Sequence, residues 1–244
     1  MTRQTKRRIA AVGLAAAAGV LSPMWGPALM RTVPAFTVSA IEVEGSRFVA
    51  PEDVRVLADI PAGASVWDDH SQAEMRLQGH PLVEEVRIRR AGFDRLAIHV
   101  REVQPIALVP APMLEPVDAR GSIMPLNPAE HALDLPILLR ARVEKGRVSD
   151  EGSRRVLSVL ERLEALSPGF VHRVSEARSA EGDAIELVLL EGSHVGRILL
   201  PIEDAERAFL RAEDAISECT GRGRVLAVDG RFRGQIVVEI EEAA

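Results

Sequence analysis

Leu96, Ile98 and Val100 fall at every second position, the period of a strand with one packed and one wet face. Val83, Val86 and Ile88 fall in another β-like run, in which Val86 and Ile88 keep that period, and the short link Ala91-Gly92-Phe93-Asp94 predicts a hairpin between the two. Upstream, Phe36, Val38 and Ala40 point one way while Ile41 and Val43 point the other. This predicts a strand with a phase change or bulge over 36–43, ended by Gly45. Pro51-Glu52-Asp53 starts a short helix, because proline suits the first turn and acids suit the positive end of the helix dipole. Val54, Leu57 and Ala58 form its apolar face, and Pro61-Ala62-Gly63 breaks the chain after it. Asp68 or Asp69 is expected to cap a second helix with Ala73, Met75 and Leu77 inward. His80-Pro81 ends that helix, since a residue before proline avoids the α region. The order is strand, helix, helix, strand, strand, with both helices on one face of a small sheet.

The stretch 105–136 is dense in proline but keeps returning to apolar residues. It reads as short edge strands joined by ordered loops. A long helix follows, capped by Ser149 or Asp150, with Val156, Val159, Leu160 and Leu163 on one stripe and a stop at Ser167-Pro168-Gly169. Strands are predicted at 173–178, 185–190 and 195–200, the last two forming a hairpin across 191–194. A second helix over 203–219 carries Ala205, Ala208, Phe209, Ala212, Ile216 and Cys219 on one stripe. The pieces 225–228 and 235–240 are rich in β-formers. The fold class is therefore α+β in two parts.

The N-terminus adds a membrane. Arg3, Lys6, Arg7 and Arg8 precede a run over 9–21 without charge, and the uncharged stretch continues to Met30. Basic residues ahead of an apolar segment hold that end in the cytoplasm. The reading preferred is an uncleaved anchor over 9–30 behind a cytoplasmic tail over 1–8. The alternative is a cleaved signal peptide, for which Val38-Ser39-Ala40 resembles a cleavage site, although cutting there would destroy the first strand. Under either reading the residues beyond Arg31 lie outside the cytoplasm.

Composition narrows the chemistry. Aromatic residues make up 3% of the 244 residues, with no Tyr, which disfavours a single-strand nucleic-acid binder that stacks bases. A net charge of −6 disfavours a general polyanion binder. The single cysteine, Cys219, cannot form an internal disulfide and reads as an apolar filler on a helix face. The histidines His70, His80, His99, His131, His172 and His194 are scattered and form no paired ligand motif. No G-x-S-x-G elbow occurs. Gly221-Arg222-Gly223 reads as a helix stop before a strand, and Asp68-Asp69 as a helix cap where a metal pair could be imagined. No catalytic residue, metal, cofactor or small-molecule substrate is expected.

Several short motifs follow one another along the chain. The first part contains F-x-V-x-x-I-x-V-x-G over 36–45, Gly63-x-x-Val66, His80-Pro81-x-Val83 and Arg87-x-Arg89-Arg90. It closes on Leu96-x-Ile98-x-Val100-x-Glu102-x-x-Pro105-Ile106-Ala107. The second contains Val117-Asp118-x-x-Gly121, Leu135-Pro136-x-Leu138 and Val228-Asp229-x-Arg231-Phe232. In this order they resemble the FtsQ/DivIB family of bacterial cell-division proteins across nearly the whole chain. The sequence departs from that pattern at Leu82, where an aromatic is common, and at Leu139-Arg140, where glycine is usual.

The resemblance implies a POTRA domain over 36–104 and a second, mixed α/β domain over 105–244 ending in an open sheet edge. It implies a non-catalytic scaffold of the division septum, single-pass in the cell inner membrane with its bulk in the periplasm. The partners implied are FtsB- and FtsL-like coiled-coil proteins. The positions that correspond to their docking strand are Phe232, Arg233, Gly234, Gln235, Ile236, Val237 and Val238. Ile236, Val238 and Ile240 alternate toward the core, which is compatible with pairing through the backbone. On this reading Val237→Pro removes a ladder donor and weakens recruitment more than folding. The resemblance also implies that the first domain docks polypeptides; its first strand, 36–43, reads as an edge, and Arg89-Arg90 reads as a solvated strand end in preference to a patch that steers an acidic partner. A rival reading, the POTRA region of an outer-membrane translocator, calls for many membrane strands after the module. A second rival, an extracytoplasmic enzyme, calls for a convergent polar site.

Overall fold

A computed structural model describes residues 28–110, 113–190, 195–219 and 223–242. The expected tail and residues 9–27 of the expected anchor lie outside the described residues. No helix among the described residues is long and apolar enough to cross a membrane. The chain divides into two compact units, the first ending at Glu102 and the second beginning at Val103.

The first unit holds β1 (Ala40–Glu44), α1 (Pro51–Ala58), α2 (Ser71–Gln78), β2 (Val83–Arg90) and β3 (Arg95–Glu102). The sheet order is β1-β3-β2, with β1 parallel and β2 antiparallel to β3. β3 is central, and its alternating Leu96, Ile98 and Val100 are buried beneath α1 and α2 together with Val54, Ala58, Ala73 and Leu77. α1 starts at Pro51 with Glu52 and Asp53 in its first turn and ends where Asp59 turns left-handed.

Three local expectations change. The segment 36–43 is not one strand: Pro34–Phe36 is a 3-10 turn and β1 begins at Ala40. The phase change exists because Phe36 and Val38 pair through their backbones with Val66 and Ala64, at 2.9 and 2.8 Å, before the chain joins β3. The residue before α2 is His70, with no side-chain cap. Asp69 accepts from the Ser71 N–H at 3.0 Å, and Asp68 accepts from the Ser65 N–H at 2.7 Å instead. Met75 is 58% exposed, because the buried stripe of so short a helix is filled by Ala73 and Leu77.

The second unit is an eight-stranded sheet of order β13-β12-β11-β10-β9-β6-β4-β5. Its strands are β4 (Pro105–Pro110), β5 (Leu114–Asp118), β6 (Ile137–Leu138), β9 (Val174–Ala180), β10 (Ala184–Leu189), β11 (Val195–Pro201), β12 (Gly223–Asp229) and β13 (Val237–Glu242). A two-residue hairpin, β7 (Val143–Glu144) and β8 (Arg147–Val148), stands apart. Helix α3 (Glu151–Leu166) packs on β9 and β4, and α4 (Ala205–Cys219) lies over β11 and β12. The parallel pair β11 and β12 needs such a crossover, because parallel neighbours cannot be joined by a tight turn.

Val156, Leu157, Val159, Leu160 and Leu163 on α3 are fully buried. Phe170 meets Phe209 of α4 edge-on at 4.6 Å, a favoured aromatic geometry. Asp150 caps α3, accepting from the Ser153 N–H at 2.8 Å and the Arg142 N–H at 2.9 Å. Burial pushes its pKa up, but the N–H donors outweigh that and hold it below the ordinary carboxylate value. Cys219 is half-buried against the core.

Candidate functional site

β13 is the last strand of the large sheet, and its free side is set by the strands behind it. The Gly230 N–H donates to the Leu199 carbonyl at 2.8 Å. A strand residue directs its N–H and C=O to the same side, and successive residues alternate. Gly230 and Val228 therefore face β11, while Asp229 and Ala227 face β13. In the antiparallel register Asp229 opposes Val237, Val228 opposes Val238 and Ala227 opposes Glu239. Val237 and Glu239 thus spend their backbone groups on β12. Val238 and Ile240 aim theirs outward, where no strand lies among the described residues. Beyond the bulge at Leu226 the same phase holds: a Cβ built on Gly223 would sit 2.3 Å from the Glu241 carbonyl oxygen, so that oxygen turns toward β12.

The expectation for Val237→Pro changes accordingly. That N–H belongs to the internal ladder, and the outward donor is the one at Val238.

Individual backbone groups on the edges β1, β2 and β5 are engaged from within. β5 carries Pro116, whose carbonyl accepts from Met124 at 2.8 Å, while the Asp118 N–H donates to the Ser122 carbonyl at 3.1 Å. In the first unit the β2 edge presents the Ile88 N–H, which the Glu74 carboxylate of α2 takes at 2.7 Å. β1 is an edge, and its Ile41 carbonyl accepts from the Arg55 guanidinium at 3.0 Å. Such covering is how sheets suppress unwanted pairing.

Of the residues singled out in the sequence, Val237 and Val238 lie in β13, whereas Phe232, Arg233, Gly234, Gln235 and Ile236 form the turn and lead-in before it. The strand therefore starts later, and runs further, than 235–240. Phe232 is 49% exposed and Val237 50% exposed, while Ile236 and Val238 are half-buried against the core. The turn is anchored by Arg231, whose guanidinium grips the Asp229 carboxylate at 2.6 and 2.9 Å. This grip holds the Asp229 pKa below its ordinary value, against the opposing effect of burial. Sequence reading missed Leu226, which the bulge turns outward to 36% exposure.

Among the described residues no group of three or more His, Cys, Asp or Glu is placed to hold a metal. His172 Nδ1 lies 2.6 Å from the Asp134 carbonyl, His80 Nδ1 accepts from the Leu82 N–H at 3.3 Å, and His99 lies 3.0 Å from Glu44. His194 lies outside the described residues. Arg90 stacks over the Trp67 ring at 3.7 Å, a cation–π contact, and Arg89 is exposed.

The short motifs quoted from the sequence have physical roles here. Glu102 is 2% exposed and accepts the backbone N–H groups of Arg47, Phe48 and Val49 at 2.9, 2.8 and 2.9 Å. It ties the loop ahead of α1 to the end of β3. Gly45, at φ +82°, leaves no room for a side chain, since a Cβ would sit 2.2 Å from the Val100 carbonyl oxygen. Asp118 closes the turn to Gly121 through the Ser122 N–H at 2.7 Å. Beside β6, the Pro136 carbonyl accepts from Leu108 and the Leu139 N–H reaches Ala177, at 2.8 and 2.9 Å. The glycine usual after this element is replaced by Arg140, which nevertheless adopts φ +63°.

The family described as POTRA domain, FtsQ-type, matches residues 36–102. A cell division protein FtsQ from Syntrophotalea carbinolica is 27% identical over 212 residues, covering 84% of this chain and 74% of that protein. An FtsQ from Rhodothermus marinus is 29% identical over 220 residues, covering 84% and 78%. A DivIB from Geobacillus kaustophilus is 34% identical over 77 residues, covering 31% and 30%. The domain match, the extended likeness across both units and the roles of Gly45, Glu102 and the Asp229–Arg231 turn converge: this chain belongs to the FtsQ/DivIB family of bacterial cell-division proteins.

Proposed function

We propose that this protein is a non-catalytic scaffold of the division septum that recruits bitopic coiled-coil proteins of the FtsB/FtsL kind by strand addition to β13. The observation that carries the reading is the contrast between edges. Outward backbone groups of Ile41 on β1, Ile88 on β2, and Pro116 and Asp118 on β5 are taken up by neighbouring residues, while those of Val238 and Ile240 point away from the sheet. Strand addition draws affinity from main-chain hydrogen bonds and selectivity from alternate side chains. In this reading residues 1–8 are cytoplasmic, 9–30 anchor the chain in the inner membrane, and the POTRA domain (36–104) and second domain (105–244) stand in the periplasm. The scaffold then links early cytoplasmic division components to later wall-synthesis proteins without making bonds of its own.

Affinity capture with the full-length chain in a nonionic detergent tests the proposal. Bitopic coiled-coil division proteins are expected among the captured chains. Recovery of outer-membrane assembly factors alone would assign the protein to polypeptide translocation instead. A periplasm-dependent reporter enzyme fused after Ala244 is expected to be active, and an inactive reporter would reverse the orientation.

A further inference from the structure

We infer that the β13 edge selects an extended segment in which apolar and basic residues alternate. This rests on the strand-addition reading above and adds the chemistry of the occupant. The two faces of β13 differ in kind. On the face that α4 covers over β11 and β12, Ile236, Val238 and Ile240 are only half-buried, as are Ile216 and Cys219 of α4. The reason is that α4 lies over β11 and β12, so the apolar layer runs to the margin of the sheet and stops uncovered. A strand added to β13 continues that layer with every second side chain.

On the opposite face β13 presents Glu239 and Glu241, both exposed. An arginine lies on the inner side of each: Arg197 is 3.7 Å from Glu239, and Arg224 opposes Glu241 in the register with β12. The outer side of both carboxylates faces the incoming strand. For an antiparallel segment, Val238 and Ile240 exchange the hydrogen bonds, so the position opposite Glu239 is a non-hydrogen-bonded one, where facing side chains approach most closely. A lysine or arginine there extends an alternation of charge across the sheet.

The test uses fluorescein-labelled octapeptides titrated into the full-length chain in nonionic detergent, read by anisotropy. One alternates Val and Lys, one Val and Glu, and one Ser and Lys. The Val/Lys peptide is expected to bind roughly tenfold more tightly than Val/Glu, the scale of exchanging two repulsive cross-strand pairs for two attractive ones. It is also expected to bind more tightly than Ser/Lys. Glu239→Lys with Glu241→Lys is expected to invert the order of the first two. N-methylation of alternate amides along one edge of the Val/Lys peptide is expected to abolish binding without depending on how any protein variant folds. Equal binding of Val/Lys and Val/Glu, both lost on N-methylation, would overturn the charge selection and leave strand addition standing. Binding of Val/Lys that survives N-methylation of either edge would overturn both. Failure of Val/Lys to bind would overturn the selection inferred here, while capture of natural partners would still report on the scaffold reading.

Discussion

Val238→Pro is expected to weaken binding of the coiled-coil partner at least about a hundredfold, equivalent to about 2.8 kcal/mol, and to leave the two units folded. Proline at this position deletes the outward N–H and places its ring where the partner's carbonyl would approach. Edge strands tolerate proline where the N–H faces solvent, so the internal ladder through Val237 and Glu239 survives. Val237→Pro, one residue away, is expected to do the reverse. Its N–H is directed to the Asp229 carbonyl across the β12–β13 pair, and its loss frays the edge from its start. Binding isotherms with the purified partner, read beside thermal melts, separate the two. If both prolines weakened binding equally with unchanged melts, the alternation of inward and outward groups assigned to β13 would be wrong.

Glu102→Ala is expected to destabilise the first unit by about 3 kcal/mol. The alanine leaves the Arg47, Phe48 and Val49 N–H groups without their carboxylate, and each buried donor left unmatched costs roughly 1–3 kcal/mol. Val49 is buried, whereas Arg47 is exposed and can recruit water, so the three do not add in full. Glu102→Gln keeps one acceptor oxygen and is expected to lose less, about 1–2 kcal/mol. Trp67 reports on this unit from its place between Phe36 and Arg90. The chain has two tryptophans, so a Trp25→Phe background isolates the Trp67 emission during urea unfolding. A midpoint that does not move in Glu102→Ala would show that the loop ahead of α1 is held by other means.

Much of the fold is written in local periodicity. The α3 stripe, the β2–β3 hairpin and the β10–β11 pair follow from apolar spacing and from breakers that act within a few residues of themselves. Failures occur where distant backbone decides. Nothing near Phe36 and Val38 shows that they pair with Ala64 and Val66, so 36–43 read as one strand. Met75 sits at a spacing compatible with burial, but an eight-residue helix has room for few inward positions, and smaller Ala73 allows closer packing on the sheet.

The candidate site shows the same division. Alternation in Ile236, Val238 and Ile240 correctly gives the half-buried face of β13. It does not give which backbone groups are outward, because that depends on the parallel pairing of β12 with β11 and on the bulge at Leu226. It also does not show that β13 stands last in the sheet, which is a property of strand order alone. The functional weight of Glu102 is likewise hidden: its position at the end of β3 is legible, but its three backbone donors lie more than fifty residues upstream.

The most direct measurement of the central claim is residue-resolved amide hydrogen exchange across 237–241, with and without the coiled-coil partner. In the free protein Val237 and Glu239 should exchange slowly and Val238 and Ile240 quickly. On binding, Val238 and Ile240 should become as protected as their neighbours. A saturated complex in which Val238 and Ile240 still exchange at their free rates would contradict recruitment through this edge.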